Sequence, residues 1–102
     1  MNKIRSYIGF AIKSNSILMG QSKIKHYNKQ IDLIVLSNDA TDNLKNLAKN
    51  VAIKKQCNTI ILNCKLEDLI NTSNIKIIAI TNLDLANGIL NEFLNVIKGE
   101  LY

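Results

Sequence analysis

The residues best equipped for chemistry stand together in Met19-Gly20-Gln21-Ser22-Lys23-Ile24-Lys25-His26. A Gly between a short apolar run and a polar, helix-prone segment lets a ligand come close to the backbone, because no Cβ stands in the way. The helix start that follows presents free N–H groups and a positive dipole end, which suits an anion. Gln21 and Ser22 offer hydrogen bonds to phosphate, sugar or base edges, Lys23 and Lys25 add charge, and His26 lies one turn further on. The same residues also describe an ordinary turn and cap, so the anion-binding reading needs support from elsewhere in the chain.

Little else points to catalysis. There is no GxGxxG, phosphate-cradling GxxxxGK, GxSxG or HExxH pattern. His26 is the single His, which excludes a multi-His metal site. Cys57 and Cys64 sit seven positions apart with no CxxC or Cys/His cluster, so they read as reduced thiols rather than zinc ligands or a disulfide. A Cys–His pair with His26 is conceivable, but both Cys adjoin apolar strand residues and not the basic setting that activates a thiol. Asp39-Ala40-Thr41-Asp42 fits a metal loop on paper and a helix cap more simply. The sequence therefore predicts no catalytic residue, no metal and no cofactor.

The surroundings of the Gly20 segment are basic. The chain has 102 residues and a net charge of +5, from 13 basic and 8 acidic side chains. Lys3, Arg5, Lys13, Lys23, Lys25 and Lys29 all fall within residues 1–31, which hold no Asp or Glu; residues 32–102 are close to neutral. A segregated basic region is the electrostatic footprint of a polyanion partner. The expectation is one basic face carrying these six residues, although a merely solvated basic face has the same composition.

The elements that must position the segment follow from periodicity. Ile4, Tyr7, Ile8, Ala11 and Ile12 recur at helical spacing over residues 2–14. Ser14-Asn15-Ser16 breaks that helix, and Ile17-Leu18-Met19 reads as an edge strand. A short helix from Gln21 to about Asn28 turns Ile24 and Tyr27 inward. Leu33-Ile34-Val35-Leu36 is a strand buried on both faces. Asp39 or Thr41 caps a helix running to about Lys55. Asn58 to Leu62 is a strand, Lys65 to Ile70 a short helix, and Ile75 to Ile80 a strand rich in β-branched residues. The last helix starts at Thr81 or Asn82, carries Leu85, Ile89, Leu90, Phe93, Leu94 and Ile97, and ends near Lys98-Gly99. Such alternation predicts an α/β fold with its sheet sandwiched between helices. At 47% apolar and 21% charged residues the composition is globular, and the length fits one domain over 1–102. No signal peptide and no membrane-spanning apolar run is evident, which predicts a cytoplasmic protein with no membrane partner.

Three stretches together carry a family resemblance. They are Ile8-Gly9-Phe10-Ala11-Ile12-Lys13-Ser14-Asn15-Ser16-Ile17-Leu18-Met19-Gly20, Leu33-Ile34-Val35-Leu36-Ser37-Asn38-Asp39-Ala40-Thr41, and Ile77-Ile78-Ala79-Ile80-Thr81-Asn82-Leu83-Asp84-Leu85-Ala86. In order and spacing the chain, over roughly residues 4 to 97, resembles the ribosomal protein "L seven Ae" family of kink-turn RNA-binding proteins, and among them the short stand-alone bacterial members.

The resemblance implies a three-layer α-β-α sandwich with a mixed four-stranded sheet, and structured RNA, ribosomal RNA among the candidates, as partner. It implies an RNA grip at the helix beginning at Gly20, closed by the loop Asn71-Thr72-Ser73-Asn74. Ser22-Lys23 stand where the family has Asn-Glu, and His26 stands where it has Lys. Lys23 cannot accept a hydrogen bond from a base N–H but reaches O6 and N7 acceptors or a phosphate. The implied RNA-binding set is thus Gly20, Gln21, Ser22, Lys23, Lys25, His26, Asn71, Thr72, Ser73 and Asn74. The loss of Asn-Glu leaves a second expectation open, a protein-interaction or scaffold module on the same fold that binds no RNA.

Overall fold

Two short, continuously apolar strands organise the chain. A computed structural model describes residues 2–100, and the side chains of residues 3–95. It contains α1 (Asn2–Lys13), β1 (Ile17–Met19), α2 (Gln21–His26), β2 (Leu33–Leu36), α3 (Asp42–Lys55), β3 (Asn58–Ile61), α4 (Leu66–Ile70), β4 (Ile77–Ile80) and α5 (Leu83–Glu100). The strands form one mixed sheet in the order β1-β4-β2-β3. β4 is antiparallel to both β1 and β2, and β2 is parallel to β3. In register, Val35 faces Ile78 on one side and Ile60 on the other.

Successive side chains of a strand point to opposite faces, so β2 and β4, buried throughout, feed two cores. Leu33, Val35, Ile78 and Ile80 pack with Ile4, Ile8 and Ala11 of α1, Leu66, Leu69 and Ile70 of α4, and Ala86 and Ile89 of α5. Ile34, Leu36, Ile77 and Ala79 pack with Ile24 of α2, Ile31, and Ala48 and Ala52 of α3. The architecture is the expected α-β-α sandwich, with α1, α4 and α5 in one layer and α2 and α3 in the other.

That layering corrects the expected basic face. The chain leaves α1, passes through the edge strand β1 and enters α2 across the sheet, so the first third straddles both layers. Lys3, Arg5 and Lys13 belong to α1, whereas Lys23, Lys25 and Lys29 lie on or just after α2, on the opposite side.

Several boundaries also differ from expectation. α2 stops at His26, because Tyr27 is extended (φ −76°, ψ 123°) and its carbonyl accepts from Lys55 Nζ at 3.0 Å. β4 begins at Ile77 and not Ile75, since its partner β2 ends opposite Ile77. α5 continues past Gly99 to Glu100; a Gly costs a helix only about 1 kcal/mol and does not by itself stop it. Ile97, expected on the α5 stripe, lies outside the described side chains. Of the two expected caps, Thr41 Oγ1 accepts from Leu44 N at 3.2 Å and caps α3, and Asn82 Oδ1 accepts from Leu85 N at 3.0 Å at the start of α5.

Candidate nucleic-acid interface

Gly20 joins β1 to α2 with φ 94° and ψ 155°, a conformation essentially confined to Gly. Its N–H donates to Ile77 O (3.0 Å) and its carbonyl accepts from Ile24 N (3.3 Å), so it ties β4 to the first turn of α2. Beside it a cavity of about 410 Å³ opens between the starts of α2 and α3. Gly20 and Gln21 line one side, Thr41, Asn43, Leu44 and Leu47 another, and Asn74, Lys76 and Ile77 the third.

The cavity unites the two halves of the expected site at three points only. Gly20, Gln21 and Asn74 line it; Ser22, Lys23, Lys25, His26, Asn71, Thr72 and Ser73 do not. Ser22, Lys23, Lys25 and His26 are exposed along α2. His26 Nδ1 sits 2.8 Å from Ser22 O, within its own helix. Asn71 closes α4 in the left-handed conformation (φ 54°), Thr72 Oγ1 donates to Ile70 O at 3.3 Å, and Ser73 is exposed.

Asn74 is held in place by residues that sequence reasoning missed. Its backbone is left-handed (φ 65°) and its N–H donates to Glu67 Oε2 at 2.9 Å. Lys76 Nζ donates to Asp39 Oδ2 at 2.7 Å and to Glu67 Oε1. Ser37, fully buried, donates to Asp39 Oδ1 at 2.5 Å and accepts from Leu66 N at 3.0 Å, so one hydroxyl joins the end of β2 to the first turn of α4. The hydrogen bond from Lys76, then that from Ser37, lowers the Asp39 carboxyl to about 2. Lys76 and the Asn74 amide likewise lower Glu67, and the two carboxylates raise Lys76. A usable signal was present in the sequence: Lys76 is a charge inside an apolar run, and such a charge requires a partner.

Charge divides by layer rather than by sequence third. The segments 21–31 and 42–55, which hold α2 and α3, contain Lys23, Lys25, Lys29, Lys45, Lys49, Lys54 and Lys55 against the single acid Asp42. The segments of the other layer, 2–13, 65–70 and 83–95, hold Lys3, Arg5, Lys13 and Lys65 against Glu67, Asp68, Asp84 and Glu92. The cavity at Gly20 opens within the basic layer.

The cysteines stand apart from this site and from each other. Cys57 packs against the α2–α3 core and Cys64 against the opposite one, and both are free thiols. Burial, then the nearby Asp32 and Asp68 respectively, raises both thiols above their ordinary value, the opposite of an activated nucleophile. Among the described residues no group of three or more His, Cys, Asp or Glu could hold a metal ion. No described helix is long and apolar enough to cross a membrane.

Fold and geometry together define an α-β-α sandwich with a cavity where one edge-strand junction meets the starts of two helices. A solved structure of the same architecture, from a protein with unknown function from Bacillus halodurans, is similar with a TM-score of 0.77 and 20% identity, covering 87% of this chain and 94% of that one. No family model matches the sequence, and no curated protein matches it.

Proposed function

We propose that this protein binds structured RNA, in the manner of a small ribosomal-protein-like module of the cytoplasm, and is not an enzyme. The observation that carries the reading is the opening of the Gly20–Gln21–Asn74 cavity within the helical layer that concentrates the positive charge. RNA is recognised through backbone, shape and exposed bases, which calls for polar groups at a close-approach point flanked by cations. Gly20 supplies the approach, Gln21, Asn43 and Asn74 supply amides, and the α2–α3 lysines supply charge. The resemblance to kink-turn binders supports the reading at Gly20, Gln21 and Asn74, and Lys23, exposed along α2 outside the cavity, reaches phosphates and base acceptors in place of the family's acidic contact.

The test is a binding titration of the intact chain against a kink-turn RNA and a plain hairpin over a range of salt. The reading requires tight binding that weakens linearly in log–log form as salt rises. Salt-independent or absent binding to both would sink it. In that case the scaffold reading takes over, supported by Phe10 and Leu83, exposed on the opposite layer at 56% and 59%.

A further inference from the structure

We infer that the far end of the α2–α3 groove is a second phosphate subsite, in which Lys25, Lys54 and Lys55 bind phosphodiester oxygens of the same RNA strand that enters at Gly20; this rests on the RNA-binding reading above. A second cavity, about 230 Å³, lies between the two helices with an apolar floor of Ile24 and Val51. Its rim is Lys25, Tyr27, Asn50, Lys54 and Lys55, with no carboxylate among the lining residues.

Lys55 is fixed in advance. Its Nζ donates to the carbonyls of Tyr27 (3.0 Å) and Lys29 (2.5 Å) and lies 5.9 Å over the Tyr27 ring. An ammonium has three donors, so one N–H remains for a ligand. Gln30 Nε2 braces the same joint by donating to Lys55 O at 2.8 Å. Lys25 and Lys54 are exposed, and neither is paired with another described residue. Three cations facing one groove without an acid repel one another, and a bound anion relieves that repulsion.

The two cavities lie along the same pair of helices. Leu44 and Leu47 line the first and Asn50, Val51 and Lys54 the second, a continuous stripe of α3 at three- and four-residue spacing. On the facing helix Gln21 lines the first and Lys25 the second, about 6 Å apart along the axis. The second cavity is smaller than the ~300–1,000 Å³ of a typical small-molecule site, so a strand running through the groove suits it better than a free nucleotide.

The experiment pairs Lys25→Ala/Lys54→Ala with the parent chain and a hairpin RNA bearing an internal loop. Both substitutions are at exposed positions, so folding is retained. The expected result is a slope of log K against log salt that is shallower by about 1.5, from two lost contacts at roughly 0.7–0.9 each. In the parent, RNA should shift the backbone amide resonances of Asn50 and Val51 together with those of Gln21 and Asn74. Shifts at Gln21 and Asn74 alone, with an unchanged slope in the double variant, overturn the second subsite and leave RNA binding standing. No shift at either end overturns both. A polyglutamate peptide that shifts Asn50 and Val51 as strongly as RNA does overturns the phosphate assignment.

Discussion

The Lys76 ammonium stands 2.7 Å from the Asp39 carboxylate, bridging the approach to β4 and the turn between β2 and α3. Glu67 completes the bridge from α4 and also accepts the Asn74 N–H, so the loop expected to close the site hangs on one lysine and two acids. The network is a brace for Asn74 rather than a ligand group.

This brace has a pH signature. The folded Asp39 value, about 2, lies below the ordinary carboxylate range. Its contribution is therefore present above about pH 3.9 and is lost as pH falls through about 2. Lys76 is raised, so its part is complete below its ordinary value near 10.5 and is lost at higher pH. Carboxyl resonances followed by NMR should show Asp39 titrating near 2 in the parent and moving up toward 3.8 in Lys76→Ala, with faster amide exchange at Asn74. An unmoved Asp39 midpoint would mean that Ser37, not Lys76, holds the carboxylate down.

Ser37→Ala should be costly although it deletes one oxygen. It leaves the Leu66 N–H without its buried partner and removes the donor to Asp39 Oδ1. The expected loss is about 1–3 kcal/mol, read by urea unfolding. Ser73→Ala, at an exposed site, should stay within about 0.5 kcal/mol of the parent. Equal values for the two variants would contradict the buried-hydroxyl account.

Gly9 and Gly88 should respond oppositely to alanine. A Cβ at Gly9, in α1, meets nothing within 4 Å, so helix propensity should stabilise Gly9→Ala by about 0.5–1 kcal/mol. A Cβ at Gly88, in α5, falls 2.7 Å from the Tyr7 ring. Overpacking of about 1–3 kcal/mol then outweighs the propensity gain. Thermal unfolding should rank Gly9→Ala above the parent and Gly88→Ala below it; the reverse order would show that α1 and α5 do not approach this closely.

At Gly20 the cost of a side chain is conformational rather than steric. An added Cβ would lie 4.0 Å from Ile75 Cδ1, an ordinary contact, but at φ 94° and ψ 155°. Gly20→Ala should lose about 1–3 kcal/mol from that backbone alone. A neutral effect on urea unfolding would mean that the junction relaxes freely.

Much of the fold was legible because periodicity and burial agree. Leu33-Ile34-Val35-Leu36 reads as a doubly buried strand and is one, and Thr41 and Asn82 start helices as their side chains allow. What sequence order could not convey was the side of the sheet on which each helix lies. Lys13 and Lys23 are ten residues apart and in opposite layers, while Lys25 and Lys54 are distant in sequence and share a groove. Local spacing singles out Ser22 and Lys23, yet a helix points successive side chains in different directions and only Gln21 of that stretch turns to the cavity beside Gly20. The role of Lys76 is not legible in sequence because its partners come from elsewhere in the chain, Asp39 from the β2–α3 turn and Glu67 from α4.

Lysine acetylation of the free and RNA-bound protein, mapped by mass spectrometry, decides whether RNA lies on the α2–α3 layer. RNA should protect Lys23, Lys25 and Lys54 and leave Lys3, Lys13 and Lys65 as reactive as in the free protein. Protection of Lys3 and Lys13 with Lys25 and Lys54 unprotected, or no protection at any of them, would contradict that placement.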